Sequence, residues 1–295
     1  MSTTARAEDP TRRVRTGSLY REARQALRSL CPQPLLNWRE ARFYGRHGEV
    51  ELHVLEFLCR RSKDAIDVGA NDGSYVHHLR RHARRVIAFE PMPSLADALV
   101  SKFGQKFASG VDVRSIALSD HAGTVELHMP VVDGVTVTGC STVSATASAT
   151  YPGHRAIEVP IATLDSVYDG DVGFIKIDVE GHEQAVLDGA VQTIRRCRPR
   201  LLVEIDERLS PGGLARARGF FRLLGYEGFF IHAGTIKPMA LFAPETMQNR
   251  CDLPDLTAPL QQRERFGRYI YNFIFLPREE PAATRQRMSE RLSHL

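Results

Sequence analysis

The sequence lacks the features that mark several classes of protein. Its five cysteines are an odd number, stand far apart and include no C-x-x-C pair, which argues against a disulfide framework and against a zinc site. No apolar run reaches the about 18 residues that a membrane-spanning helix needs. The basic first 30 residues contain no continuous apolar core, so no secretory signal is predicted. We therefore expect a soluble, cytoplasmic protein without a metal site.

Lysine is also scarce, since the 295 residues contain five lysines against 34 arginines. The formal net charge is +4, but residues 1–46 carry ten arginines and four acids, a net of +6, which leaves −2 for the remainder. An arginine-rich arm of this kind either binds phosphate-rich partners or an acidic membrane surface, or is a solvated extension. These numbers do not require nucleic acid, and no nucleic-acid partner is expected. An oligomer is compatible with the sequence.

Beyond residue 60, apolar segments alternate with segments of helical periodicity. The predicted strands are Ala65–Val68, Val86–Phe89, Val111–Ser115, Val172–Asp178 and Leu201–Ile205. The predicted helices between them are Ser74–His82, Ser94–Phe103, Glu183–Arg195 and Gly213–Leu224. Strands that are apolar on both faces and alternate with helices indicate a mostly parallel sheet covered by helices on both faces. The fold class is therefore predicted to be α/β and Rossmann-like.

The segments before and after this core divide the chain into three parts. Residues 1–48 are predicted to be a basic, partly helical extension, in which Ser18–Leu30 has helical spacing. Residues 49–278 are predicted to form the Rossmann-like domain, which opens with a second helical stretch, Val50–Cys59. Residues 279–295 are predicted to be a charged tail.

Three further segments depart from the strand–helix alternation. Thr124–Met129 alternates apolar and polar residues, which predicts an extra edge strand or a hairpin. Residues 131–152 are rich in Ser, Thr, Ala and Gly without periodicity, and they fit an active-site loop and a plain surface insertion equally well. Gly228–Ile231 and Tyr269–Phe275 are apolar, and they are expected to close the sheet as an antiparallel pair.

A glycine-containing turn follows the first predicted strand. It reads Asp67-Val68-Gly69-Ala70-Asn71-Asp72-Gly73. The glycines allow a tight strand-to-helix turn, and Asn71 tolerates a left-handed backbone. The spacing G-x-x-x-G is not the dinucleotide pattern G-x-G-x-x-G, and a pyrophosphate would be repelled by Asp67. The same carboxylate complements the amino group of a sulfonium cofactor, directly or through water.

Two further elements follow the next two predicted strands. Glu90 ends the second strand, 21 residues after Gly69, where an acidic side chain accepts hydrogen bonds from two ribose hydroxyls. Residues 117–119 follow the third strand and can flank an adenine. Because ligands bind at the carboxyl ends of parallel strands, these elements predict one site. The predicted cofactor-binding residues are Asp67, Gly69, Ala70, Asn71, Gly73, Glu90, Ala117, Leu118 and Ser119.

The fourth predicted strand carries charged residues on one face. With a period of two, Lys176, Asp178 and Glu180 share that face. A buried lysine needs a partner, for which Asp178 or Glu204 is expected. The predicted catalytic residues are Asp178, Glu180 and His182, because they follow the strand where it opens towards the methyl group of the sulfonium cofactor. A carboxylate or imidazole there can remove the proton of an attacking hydroxyl.

These segments resemble the FkbM family of methyltransferases over roughly residues 62–230. The resemblance rests on I-D-V-G-A-N-D-G-S-Y (66–75), F-E-P (89–91), A-L-S-D (117–120), T-L-D-S (163–166) and I-K-I-D-V-E-G-H-E (175–183). It implies a class I methyltransferase fold, S-adenosyl-L-methionine as the cofactor, and O-methylation of a hydroxyl on a sugar, glycan or polyketide-like small molecule. By position it implies that Asp67, Gly69, Asn71, Gly73, Glu90 and residues 117–119 bind the cofactor, with Asp178, Glu180 and His182 on the acceptor side.

Three alternatives stay open. An N-methyltransferase that holds a flat amine often carries Asp/Asn-Pro-Pro-aromatic after the fourth strand, whereas this chain has Asp178-Val179-Glu180-Gly181. A Mg²⁺-assisted O-methyltransferase would use the hard carboxylates of Asp178, Glu180 and Glu204. A catalytically inactive binding module would use the basic arm as a partner site, but the acids retained at the ribose and acceptor positions argue against it.

Overall fold

The fold is described from a computed structural model, which covers residues 32–104, 110–132, 135–136, 138–149, 153–253, 261, 266–280 and 282–295. The strands in these ranges are β1 (Asp64–Val68), β2 (Val86–Phe89), β3 (Val111–Arg114), β4 (Ala117–Leu118), β5 (Gly123–Val132), β6 (Val135–Thr136), β7 (His154–Ala162), β8 (Val172–Ile177), β9 (Arg200–Glu204), β10 (Tyr226–His232), β11 (Thr235–Pro238) and β12 (Asn272–Pro277).

The helices connect these strands and flank them at both ends of the chain. The α-helices are α1 (Gln33–His47), α2 (Leu55–Leu58), α3 (Ser74–Leu79), α4 (Pro93–Phe103), α5 (Ala145–Ser148), α6 (Leu164–Val167), α7 (Glu183–Asp188), α8 (Val191–Cys197), α9 (Gly213–Leu223), α10 (Pro244–Met247) and α11 (Ala282–Leu292). The 3-10 helices are Val50–His53, Thr138–Cys140, Met239–Leu241 and Arg250–Asp252. Among the described residues, no helix combines the length and the apolar character needed to cross a membrane.

The main sheet confirms the predicted fold class. Within the described ranges it has eight strands in the order β11-β10-β12-β9-β8-β1-β2-β3. The strands β1, β2, β3, β8 and β9 run parallel to their neighbours in that group. The strand β12 inserts antiparallel between β9 and β10, so the predicted antiparallel pair at the carboxyl end of the chain is also confirmed.

Each face of this sheet carries its own apolar core, because successive side chains of a strand point to opposite faces. Ile66 and Ile175 pack on one face with apolar side chains of α7, α8 and α9. Ala65 and Phe174 pack on the other with side chains of α2, α3, α4 and α11. Ile66, Ile175 and Phe174 are fully buried, and each such side chain stabilises the fold by about 1.5–3 kcal/mol.

A second, smaller sheet begins at β4, directly after the carboxyl end of β3. Its strand order is β4-β7-β5-β6 within the described ranges. The predicted strand Thr124–Met129 lies inside β5, which pairs antiparallel with β7. The segment is therefore a strand, as predicted, but it pairs with β7 across residues 133–153 and belongs to this second sheet, not to the edge of the main one. Leu127, Val159 and Ile161 bury a separate apolar cluster there.

Two predicted helices are interrupted in the structure. The predicted helix Glu183–Arg195 is divided into α7 and α8 at Gly189, where a Cβ atom would overlap the carbonyl oxygen of Ser119. The predicted helix Val50–Cys59 consists of a 3-10 turn followed by α2. Its residues Val50, Leu52 and Val54 are all buried, so the segment is enclosed by the domain and does not present one apolar stripe, as a surface helix would.

Both flanking segments contain helices that contact the domain. In α1, Ala41 is buried, and Oε2 of Glu40 lies 3.2 Å from Nε2 of His77 in α3. In α11, Met288 and Leu292 are buried in the core that contains α2 and α3, so much of the predicted charged tail is a docked helix. The predicted helix Ser18–Leu30 lies outside the described residues. The domain boundaries at 48 and 278 stay a prediction.

Candidate active site

A cleft that is open to solvent lies at the carboxyl ends of β1, β2 and β8. The predicted site residues that line it are Gly69, Asn71, Glu90, Ala117, Leu118, Asp178, Glu180 and His182. The predicted residues that do not line it are Asp67, Ala70, Gly73 and Ser119. The structure thus brings the predicted cofactor and acceptor residues to one cleft, with four of them set behind its surface.

The turn after β1 is held close to the neighbouring strand. Gly69, Asn71 and Gly73 have φ angles of 78°, 45° and 83°, which are left-handed values that favour glycine and asparagine. A Cβ atom on Gly69 would overlap the carbonyl oxygen of Asp178. The turn can therefore approach the end of β8 only because residue 69 has no side chain.

Glu90 is tied to this turn by backbone hydrogen bonds. Its Oε2 accepts from the backbone N–H of Asn71 at 2.8 Å, and its Oε1 accepts from that of Met92 at 2.9 Å. Burial raises the pKa of Glu90, while these two N–H groups lower it, and the net shift is upwards. A carboxylate has about four acceptor positions, so the side chain can accept two further hydrogen bonds from the cleft.

Asp67 lies beneath the turn. Its side chain is fully buried, and neither carboxylate oxygen has a hydrogen-bond partner among the described residues. Lys176 Nζ lies 3.9 Å from its Oδ1. Burial raises the pKa of Asp67 to about 7, although Lys176 acts in the opposite direction. Asp67 is therefore a buried carboxyl group below the cleft, without hydrogen bonds among the described residues and 3.9 Å from the ammonium of Lys176.

We expect the buried carboxyl of Asp67 to make stability depend on pH. The folded protein keeps this proton up to about pH 7, whereas the ordinary pKa of an aspartate is 3.8. The free energy of unfolding therefore falls as the pH rises from 3.8 to about 7. The loss through Asp67 alone is on the order of 4 kcal/mol. In urea titrations at several pH values, Asp67→Asn should flatten this decline, whereas the exposed substitution Asp169→Asn should leave it unchanged. Identical profiles for wild type and Asp67→Asn would contradict the assignment.

Three carboxylates form a cluster at the end of β8. One oxygen each of Asp178, Glu180 and Glu204 lies within 4.8 Å of the others. Burial first, and then the neighbouring acids, raise the pKa of Glu180 and of Glu204 well above the usual range. Carboxylates at this spacing cannot all be charged, so the cluster holds a proton near neutral pH. The same oxygens are also suitable ligands for a hard divalent cation.

Lys176 is the counter-ion of this cluster. Its Nζ donates to Oδ2 of Asp178 at 2.8 Å, so of the two predicted partners the structure selects Asp178. The ammonium also lies 4.6 Å from the centroid of the Tyr75 ring. Burial alone would lower the pKa of Lys176, but the carboxylates of Asp178 and Asp67 raise it overall. The lysine therefore stays charged and orients Asp178.

Sequence reasoning missed Glu49 and Asn272, which lie beside Lys176. Oε2 of Glu49 accepts a hydrogen bond from the hydroxyl of Tyr75 at 2.5 Å and another from the side chain of Asn272 at 3.1 Å. Nothing in the local sequence marks Glu49. Asn272 could have been noticed, because it is a buried polar residue within the apolar run Tyr269–Phe275.

The loop after β8 is strained and meets the insertion between β5 and β7. Glu180 has a φ of 53°, which is uncommon for a residue with a long side chain and is typical of functional sites. Its carbonyl oxygen accepts a hydrogen bond from Thr142 Oγ1 at 2.7 Å. Thr138, Ser141 and Val143 line the cleft. Of the two alternatives for residues 131–152, the described part therefore favours an active-site loop.

His182, the third predicted catalytic residue, lies in the same loop. His182 lines the cleft, and its Nε2 is 2.9 Å from Oγ of Ser119. Burial lowers the pKa of His182, so the ring is neutral near pH 7. Glu183 begins α7, as predicted, and accepts a hydrogen bond from the backbone N–H of Gly181 at 2.7 Å.

Several solved structures resemble this one at low sequence identity. A methyltransferase FkbM from Methylobacillus flagellatus KT is 16% identical over 73% of this chain, with a TM-score of 0.46, and the chain spans only 44% of that protein. A putative methyltransferase from Streptococcus mutans, in complex with SAH, is 9% identical over 77% of this chain and 94% of its own, with a TM-score of 0.38. Fibrillarin from Aeropyrum pernix, with natively bound S-adenosyl-L-methionine, is 11% identical over 81% of this chain and 73% of its own, with a TM-score of 0.36.

A family model gives the assignment directly. No curated protein matches the chain. The model of the methyltransferase FkbM domain matches residues 67–227, which begin at Asp67 and contain Glu90, Asp178 and His182. The resemblance predicted from the motifs is thereby confirmed, and S-adenosyl-L-methionine is the cofactor consistent with it. The chain belongs to the FkbM family of methyltransferases.

Proposed function

We propose that the protein transfers a methyl group from S-adenosyl-L-methionine to a hydroxyl group of a sugar, a glycan or a polyketide-like small molecule. The observation that carries this proposal is the position of the carboxylate cluster. Asp178 and Glu180 lie in the same cleft as Glu90, so groups that accept a proton face the site that would hold the methyl donor. A hydroxyl acceptor needs such a group, because it is a weak nucleophile until its proton is removed.

The residues present fit the cofactor. Glu90 has acceptor positions left for ribose hydroxyls, and Gly69 brings bare backbone to the cleft. The apolar side chains of Phe89, Ile116 and Leu118 line the cleft and suit the faces of a purine ring. When bound, the cofactor supplies an electrophilic methyl group. Asp67 lies beneath the turn and does not line the cleft, and above about pH 7, where it is ionised, it would add negative potential towards the amino-acid portion without direct contact.

On the acceptor side, Lys176 holds the carboxylate of Asp178 in a fixed orientation. The hydrogen bond to Oδ2 leaves Oδ1 to accept a proton from a hydroxyl in the cleft. Glu180 and Glu204 lie within the same 4.8 Å cluster, but burial raises the pKa of both, so we assign the proton to Asp178. In this arrangement Lys176 orients Asp178, and Asp178 accepts the proton of the hydroxyl.

One variant of this function is favoured by a specific observation. The spacing of Asp178, Glu180 and Glu204 suits a divalent cation, which would lower the pKa of a bound hydroxyl acceptor. N-methylation and an inactive binding module have no comparable observation in their favour. The metal-assisted variant shares the substrate class and differs only in what activates the hydroxyl.

The function is tested with the full chain and methyl-labelled S-adenosyl-L-methionine. The labelled cofactor is incubated with a fractionated extract, and the labelled product is identified by mass spectrometry. We expect the label on an oxygen of a small molecule or glycan, and a label on nitrogen would overturn the proposal. A parallel reaction with EDTA separates the variants, since activity that is lost and then restored by Mg²⁺ supports the metal-assisted one.

A further inference from the structure

His182 faces a different part of the cleft from the carboxylate cluster. Its Nε2 contacts Ser119 Oγ, and Ser119 directly follows the strand β4, whose residues line the cleft. The charges that act on His182 are those of Asp120 and His121. Those that act on Glu180 belong to other groups, with Asp178 first among them. Through Ser119, His182 therefore contacts the β4 side of the cleft and not the carboxylate cluster.

The hydrogen bonds of Ser119 determine which nitrogen of His182 carries the proton. A hydroxyl has one proton to donate, and Ser119 Oγ donates it to Oδ1 of Asp120 at 3.1 Å. Because a carboxylate at neutral pH only accepts, Ser119 must accept its other hydrogen bond from Nε2–H of His182. In the neutral imidazole the proton is then on Nε2, and Nδ1 is an acceptor. Since Nε2 is engaged, Nδ1 is the nitrogen that a ligand can reach.

Ser119 is a rigid support for this arrangement. Its side chain is buried, and its backbone N–H donates to the carbonyl oxygen of Ala162 at 2.9 Å. On its other side, Gly189 packs so closely that a Cβ atom there would overlap the Ser119 carbonyl oxygen. The support joins β4, β7 and the break between α7 and α8, so it cannot turn away without disturbing all three.

On the basis of the function proposed above, we propose that His182 recognises the adenine of the cofactor, by accepting a hydrogen bond at Nδ1 from the 6-amino group, and that it is not the general base. The neighbouring wall supports this assignment, because Ile116, Leu118 and Leu127 line the cleft with apolar surface. A purine offers flat apolar faces together with one amino donor. The polar recognition in this part of the cleft then comes from His182, which Ser119 positions.

The test compares two ligands that differ at the 6-position, the group that His182 would bind, and in the proton that the inosyl ligand carries on N1. S-adenosylhomocysteine carries the 6-amino group, whereas S-inosylhomocysteine carries a carbonyl oxygen, which only accepts and therefore opposes the lone pair of Nδ1. By titration calorimetry, the wild-type protein should bind the adenosyl ligand at least about tenfold more tightly. His182→Ala should bind the two ligands about equally. Ser119→Ala should reduce the preference, because it frees the tautomer of His182.

The control is His232→Ala, an exposed histidine on β10, which should keep the wild-type preference. Circular dichroism of each variant verifies the fold, and the wild-type comparison requires no substitution. Equal binding of both ligands by the wild-type protein would overturn the inference alone, while failure to bind either would overturn the proposed function with it. A full preference in folded His182→Ala, accompanied by loss of turnover at unchanged affinity, would return His182 to the role of base.

Discussion

Replacement of Asp178 by asparagine is expected to lower the turnover number by about 10²–10⁴-fold, the range that a positioned proton acceptor contributes. The amide keeps the shape of the side chain and can still accept the hydrogen bond from Lys176, but it cannot take up a proton. Binding of S-adenosylhomocysteine should stay close to that of the wild type, because the predicted ribose and adenine contacts come from other residues. Turnover is measured with the acceptor that the labelling experiment identifies, and affinity by calorimetry.

The matched control for this substitution is Asp188→Asn, which changes an exposed aspartate at the end of α7. It should leave turnover unchanged. If Asp178→Asn turned over at the wild-type rate, another group would have to activate the hydroxyl, and Glu180 and Glu204 would be the first to test. Substitution of those residues by glutamine, one at a time, would then identify it.

Glu90→Gln is expected to weaken the binding of S-adenosylhomocysteine by about 10–100-fold, since a charged acceptor for buried hydroxyls is replaced by a weaker one. Glutamine retains one carbonyl oxygen, so one of the two backbone N–H groups of Asn71 and Met92 keeps its partner. Glu90→Ala would leave both without one, and each would cost about 1–3 kcal/mol of stability. The glutamine variant therefore separates cofactor binding from folding.

Calorimetry measures the loss of affinity in Glu90→Gln, and urea unfolding verifies that the variant is folded. Glu126→Gln is the control, because the side chain of Glu126 is 70% exposed on β5 and is not among the cleft residues. An unchanged affinity in Glu90→Gln would show that the ribose lies elsewhere, and would remove the main support for the cofactor site.

The parallel core could be predicted because its signal is local. Strands such as Val86–Phe89 are apolar on both faces, and the turn residues between strand and helix have few conformational alternatives. The second sheet could not be predicted in the same way. Its strand β4 has two residues, and it pairs with Ile161 and Ala162, more than 40 positions later in the chain. The break at Gly189 likewise depends on a carbonyl oxygen from a distant turn.

The candidate site shows the same division between local and distant information. Glu90, Asp178 and Glu180 were predicted, because each follows an apolar strand and strand ends of a parallel sheet share one edge. The burial of Asp67 was not predicted, since it depends on how closely Gly69 passes β8. The contact between His182 and Ser119 was also missed, because it joins two loops 63 positions apart.

The hydrogen bonds of Glu49 with Tyr75 and Asn272 have a consequence for protein engineering. Glu49 precedes the family-matched region 67–227 and Asn272 follows it, yet they meet beside the lysine that orients Asp178. A chimera that exchanged only residues 67–227 between two relatives would carry the proposed cofactor-binding residues but keep the recipient's own residues at positions 49 and 272. Transplanting acceptor preference would require all three stretches of the gene to be moved together.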